Sequence, residues 1–178
     1  MSTPHSFTFA MKFFLLFSLL TGFLIVNAQD AAELNRRNGF KGIKLGSSID
    51  SVKGIVFKKE FKEKDEFPAK LYDVRNENYK TIGEVTVKEI QLMTYQDRIY
   101  KIVVTTEKDP RVMRALEMSY GKSTYSIRTG SYHWNAVDLS LTFHAFKNSL
   151  ELTYRSRPVL RKMQEDKGKK VTEISEDF

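Results

Sequence analysis

Apolar and polar positions alternate with period two through VDLSLTFHAF (137–146), placing Val137, Leu139, Leu141, Phe143 and Ala145 on one face of a strand. A two-residue turn at Lys147-Asn148, with Asn148 in the left-handed region, returns the chain as LELTYRS (150–156). That register sets Ala145 against Leu150, Phe143 against Leu152 and Leu141 against Tyr154. The other face pairs His144 with Glu151, Thr142 with Thr153 and Ser140 with Arg155, so the pattern predicts a half-buried antiparallel sheet.

Upstream, the same reasoning finds further strands and helices. Ile43 and Leu45 form a short strand ending at Gly46, and Ser47 or Ser48 caps a brief helix over 48–54 with Ile49 and Val52 on one face. KKEFKEKDEF (58–67) is highly charged and reads as a loop or irregular edge, while Leu71 to Val74 reads as a short strand. From Glu84 to Tyr95 the alternation slips one place at Lys88-Glu89, which predicts a bulge in one long strand. Gln96-Asp97-Arg98 turns the chain, and IYKIVVTTE (99–107) returns with apolar groups on both faces, as a central strand would. Asp109 as cap, Pro110 in the first turn and Gly121 at the exit delimit a helix, with Val112, Met113, Leu116 and Tyr120 as its apolar stripe. Pro158 starts a last helix that Gly168 interrupts, before a frayed tail, and AAELNRRNG (31–39) reads as a loose polar lead-in.

Together these elements predict an α+β domain of two layers, with helices packed on one face of a mainly antiparallel sheet. Helices at 48–54 and 110–120 each precede a group of strands, at 70–107 and 123–157. That order allows a pseudo-repeat of helix plus three strands.

The first 28 residues bear on the compartment. Lys12 precedes an apolar run from Phe13 to Val26, and Asn27-Ala28 supplies a small residue at the end, the three parts of a secretory signal. As a helix the run covers roughly 21 Å, short of a hydrocarbon core of about 30 Å. Cleavage is expected between Ala28 and Gln29, leaving one domain over 29–178, periplasmic or extracellular, with no stable membrane anchor. The alternative is a retained anchor, which the shortness of the run disfavours.

The chain has no cysteine, which removes disulfides, thiol catalysis and thiolate metal sites. Its formal net charge is +7, but the charges alternate in sign, as in KKEFKEKDE (58–66), so nucleic acid is not an expected partner.

Candidate chemistry is sparse. Beyond the signal only His133 and His144 remain, and neither a straight strand nor a turn at Asn135-Ala136 brings both onto one metal ion. No H-E-x-x-H, EF-hand or G-x-S-x-G pattern occurs, and GFKGIKLGSS (39–48) lacks the spacing of a phosphate loop. No metal or cofactor is expected. Ser140, His133 and Asp138 are close in sequence, yet an open sheet face offers no oxyanion hole. Trp134 with Tyr132 can form an aromatic platform, against which stands the commoner role of closing a core edge. The polar face carrying His144, Glu151, Thr153 and Arg155 is the candidate contact surface, and the competing reading is a solvated face that binds nothing.

GFKGIKLGSSIDSV (39–52), TIGEVTVKEIQLMTYQDRIYKIVV (81–104), MSYGKS (118–123) and HW (133–134) resemble a group of uncharacterised exported bacterial proteins. The resemblance covers most of the mature chain and implies no assigned activity, so it transfers no functional residues. The layout of helices and sheet is also similar to small periplasmic inhibitor and outer-membrane assembly modules, a likeness of fold alone. The NAQ at the signal's end is similar to exported proteins of Bacteroidetes. The sequence thus favours a non-enzymatic binding or interaction module whose partner is an unknown envelope or extracellular protein or a small ligand. Two alternatives remain open: a hydrolase or metal-dependent enzyme around His133, Asp138 and His144, and a soluble ligand carrier. The carrier requires a large closed apolar pocket beneath 110–120.

Overall fold

Three hairpins of the chain turn on residue pairs with left-handed backbone, the geometry that matches the twist of two antiparallel strands. They are Lys41-Gly42 (φ 44° and 88°), Lys64-Asp65 (53° and 59°) and Gln96-Asp97 (49° and 59°). The computed structural model describes residues 31–177, so the expected signal and its cleavage point lie outside the described residues.

The chain runs through helix α1 (31–37), a small hairpin of β1 (Gly39–Phe40) and β2 (Ile43–Lys44), and a 3-10 turn at Ile49–Ser51 capped by Ser48. Strands β3 (Ile55–Glu63), β4 (Phe67–Val74), β5 (Thr81–Ile82), β6 (Val85–Tyr95) and β7 (Arg98–Thr106) lead to helix α2 (Pro110–Tyr120). Then β8 (Thr124–Ser126), β9 (Ser131–Asn135), β10 (Leu139–Ala145) and β11 (Leu150–Ser156) lead to helix α3 (Arg157–Ser175). The main sheet has nine strands in the order β3-β4-β6-β7-β11-β10-β9-β8, with β5 attached to β6, and every pairing is antiparallel. The fold is therefore α+β and mostly antiparallel sheet, as the pattern predicts.

Local expectations hold where side-chain chemistry decides them. The β10–β11 register is the expected one at every pair from Ala145–Leu150 to Ser140–Arg155. The bulge in β6 falls between Val87 and Glu89, at the slip in the alternation. Asp109 caps α2 by accepting from the Arg111 amide at 2.7 Å, and Gly121 leaves the helix at φ 72°.

The core on one sheet face gathers Ile90 and Leu92, Ile102 and Val104, Leu141 and Phe143, and Leu152 and Tyr154. Leu34 of α1, Phe40 and Ile43 of the hairpin, and Val112, Leu116 and Tyr120 of α2 cover it. The chain can bring the hairpin this close because Gly39 (φ 141°) has no side chain: a Cβ there would lie 2.1 Å from the Ile43 carbonyl oxygen.

Several expectations need correction. Residues 31–37 are a helix, not a loose lead-in: Leu34 is 1% exposed, and Asn35 clasps the Asp138 amide and carboxylate at 2.9 Å each. One buried leucine is too weak a periodic signal, yet its burial alone contributes about 1.5–3 kcal/mol. Of the two readings of 58–67, the irregular edge holds and the loop does not: residues 58–63 lie in β3, an edge strand with a bulge between Phe57 and Lys59 whose backbone pairs with β4. The helix expected over 48–54 is only a single 3-10 turn. Gly168 does not interrupt α3, which runs through it with the glycine on an exposed flank. Val137, 79% exposed, lies in the turn before β10, and Ala145 is exposed at the strand's end. The Lys147-Asn148 turn keeps its register without Asn148 in the left-handed region.

Nor do the helices share one face. Val159 and Met163 of α3 pack with Phe67, Ala69, Tyr95 and Tyr100 in a second cluster. Phe67 and Ala69 alternate along β4 with Tyr72, which belongs to the main core, so α3 lies on the side away from α1 and α2. Lys167–Glu66 at 2.8 Å and Tyr95–Asp166 at 3.0 Å fasten it there.

Candidate functional site

Strand pairing sorts the residues singled out in the sequence onto two sides of the sheet. Trp134 opposes Leu141 and Tyr132 opposes Phe143, which puts both on the core side. Trp134 is 4% exposed and donates from Nε1 to the Gly121 carbonyl at 2.8 Å, tying β9 to the end of α2. Tyr132 stacks edge-on against Phe143 and at 4.8 Å from Tyr125. His144, Glu151, Thr153 and Arg155 lie on the other side, so the six candidate residues do not form one site.

The polar side is continuous across β9, β10, β11 and β7. The turn after Asn135 folds His133 onto the same side as His144, since His133 opposes Thr142 and His144 opposes Ser131. This proximity was not apparent from the spacing. Both ring nitrogens of His133 are engaged, Nε2 with Ser131 at 2.9 Å and Nδ1 with Thr142 at 3.3 Å. Asp138 is held by Asn35 instead, so Ser140, His133 and Asp138 do not assemble as a triad. Glu151 accepts from Thr153 at 3.1 Å, and Arg155 stands opposite Lys101. Burial first, and Arg155 second, push the Lys101 ammonium below the usual lysine range. Among the described residues no three His, Asp or Glu side chains converge on a metal position, and no helix is long and apolar enough to cross a membrane.

The more organised recess is on the core side. A pocket of about 360 Å³ opens between α1, the β1–β2 hairpin and α2. Its floor is apolar, built from Phe40, Leu116, Leu152 and Tyr154. Ala115 and Ser119, two small residues on the outer side of α2, line it without closing it. It sits over the β7–β11 seam, because Leu152 and Tyr154 pair there with Val104 and Ile102. The large closed cavity required of a carrier is not what α2 covers: this pocket is open and modest.

Its rim is cationic. Arg36, Arg37, Lys41 and Lys44 line it. Glu33 binds both arginines, at 2.7 Å to Arg36 and 2.6 Å to Arg37, and these two hydrogen bonds hold its carboxyl down at about 2. Lys41 donates to the carbonyls of Asn78 and Thr81, and Lys44 to that of Arg37 at 2.6 Å. Among the described residues neither lysine has a carboxylate at ion-pair distance. The Arg37 guanidinium lies over the Tyr120 ring, 5.4 Å from its centroid. Tyr154 is 3% exposed, and among the described residues its hydroxyl has no hydrogen-bond partner but is not sealed, whereas the side-chain oxygens buried without a partner are Asp73 Oδ1 and Thr94 Oγ1. Burial pushes the Tyr154 hydroxyl's pKa upward, and Tyr120 and Arg37 are the charged or ionisable neighbours it feels.

The sequence carried a signal for this rim. RRNGFKGIK (36–44) holds four cations and no acid, a local excess hidden when charge is judged over the whole chain. A larger recess of about 720 Å³ between α3 and the β3–β4 edge lacks this bias, since Lys62, Lys70 and Lys170 face Glu60, Asp97 and Glu173.

Compared with protein-family models, curated proteins and solved structures, the chain matches none.

Proposed function

We propose that the protein is an exported, non-enzymatic binding module that holds a small ligand in the pocket between α1, the β1–β2 hairpin and α2. The observation that carries this reading is an apolar floor of Phe40, Leu116, Leu152 and Tyr154 beneath a rim of Arg36, Arg37, Lys41 and Lys44. The Tyr154 hydroxyl has no hydrogen-bond partner among the described residues and is not sealed from water, so a ligand in the pocket can pair with it. The volume of about 360 Å³ fits the lower end of the small-molecule range.

The order of elements supports the placement. Two meanders, β3-β4-β6-β7 and β8-β9-β10-β11, each end in a helix and meet at the β7–β11 seam. We read them as a pseudo-repeat of four strands and a helix, in place of the expected helix plus three strands, with the ligand seated at the junction, where pockets commonly form. Export rests on the apolar run behind Lys12 and on the resemblance to exported bacterial proteins. An intact mass beginning at Gln29 in the envelope fraction supports it, and an unprocessed chain in the cytosol refutes it.

The binding reading is tested by thermal shift against a small-molecule collection, with Ala115→Trp as the blocked control. Ala115 is exposed, so a tryptophan there fills the mouth without disturbing the core. A true ligand at a hundred times its Kd stabilises by about 2.7 kcal/mol. It should raise the melting temperature of the parent chain and leave the variant unmoved. If no compound discriminates between the two proteins, the reading fails.

A further inference from the structure

We propose that the ligand of this pocket is a small amphipathic monoanion, its acid group at Arg37 and the Tyr154 hydroxyl and its apolar body over Phe40 and Leu116. The inference rests on the binding reading above and adds the chemical class.

Three observations point the same way. First, the rim is electrostatically lopsided: Arg36, Arg37, Lys41 and Lys44 surround the opening, and Glu33 is already shared by the two arginines. The lysine ammonium groups are steadied by backbone carbonyls, which fixes their position and leaves their charge uncompensated. Charge of one sign above low-dielectric walls focuses a field on whatever enters. Second, the floor is apolar, so a strongly hydrated anion such as phosphate would shed water there and find few donors. An anion with an apolar body matches both surfaces at once. Third, the space is small. At about 30 Å³ per non-hydrogen atom, the share of a water molecule in the liquid, roughly twelve such atoms fill it, which is the size of decanoate.

The contrast within the molecule strengthens the assignment. The recess beside α3 is larger, but its charges are mixed in sign. The polar sheet face satisfies its own side chains through Ser131–His133, Thr142–His133 and Thr153–Glu151. Only the α2 pocket, among these three, sets an apolar floor beneath cations of one sign.

Isothermal titration of the full chain with monomeric decanoate tests the proposal. Decan-1-ol, decyltrimethylammonium and inorganic phosphate serve as probes that each lack one required feature. Decanoate should bind, decan-1-ol at least tenfold more weakly, and the cation and phosphate not measurably. From hexanoate to decanoate each methylene should tighten binding about fourfold, with no further gain at dodecanoate. The pair Lys41→Glu with Lys44→Glu, both at exposed positions, should weaken decanoate at least tenfold and leave decan-1-ol unchanged. Equal affinity for alcohol and acid overturns the anion assignment while leaving the pocket standing. Failure of every probe, together with no compound discriminating parent from Ala115→Trp, overturns both readings. Sedimentation with phosphatidylglycerol vesicles but no uptake of monomeric decanoate assigns the charge to a membrane surface and overturns the proposal.

Discussion

Tyr154→Phe removes one oxygen atom from the floor of the pocket and leaves the rest of the side chain in place. The ring packs between Ile102 and Leu141 in the neighbouring strands and lies 6.4 Å from Phe40, contacts that phenylalanine keeps. A sealed, unpaired hydroxyl costs about 1–3 kcal/mol, but the pocket mouth admits water to this one. The unliganded variant is therefore expected to match the parent or exceed it by up to about 1 kcal/mol, with an unchanged urea m-value. Binding should respond in the opposite sense. A hydrogen bond to a charged acceptor contributes about 1.5–3 kcal/mol, so affinity for decanoate should fall roughly tenfold to a hundredfold. Urea unfolding and calorimetric titration of the same preparation give both numbers. A loss of stability above 1 kcal/mol means that the hydroxyl is structurally paired. Unchanged affinity means that it does not meet the ligand. Either result refutes the argument from the unpaired donor.

Other consequences can be checked independently. Trp134→Ala should destabilise by about 3–5 kcal/mol, because it empties a core position and orphans the Gly121 carbonyl; a loss under 1 kcal/mol in chemical denaturation would restore the aromatic-platform reading. Gly168→Ala should stabilise by about 0.5–1 kcal/mol if α3 is continuous, and a neutral or negative change would restore the interrupted helix. Glu33→Gln should tighten decanoate several-fold by freeing Arg36 and Arg37, with a steeper dependence on salt. The folded pKa of Glu33, about 2, lies below its ordinary 4.5, so its stabilisation is complete above that value and lost as pH falls towards 2. The parent should therefore lose more stability than Glu33→Gln between pH 5 and pH 2, and parallel curves would contradict the pairing.

What the sequence shows depends on how locally each feature is encoded. The β10–β11 register follows from alternation and one turn, and the α2 boundaries from Asp109, Pro110 and Gly121, all within a few residues. The sequence left β3 open between a loop and an irregular edge, because its stability comes from backbone pairing with β4, to which charged side chains give no clue. Helix α1 was hidden because Asn35 is held by Asp138, about a hundred residues away, and Leu34 by its burial in the main core. The opposite placement of α3 depends on which parity of β4 faces which way, and the local pattern of α3 does not contain that choice. The pocket assembles α1, a hairpin, α2 and β11, so its floor could not be read locally, although the four cations of 36–44 were in plain view.

The central claim is that one pocket holds an amphipathic acid in a set orientation, and mapping bound decanoate by nuclear magnetic resonance tests it most directly. Intermolecular contacts from the alkyl protons should reach Phe40, Leu116 and Leu152, with the Arg37 side-chain resonances shifting as the acid group seats. Contacts confined to the α3 recess or to the polar face around His144 and Thr153 would contradict the account.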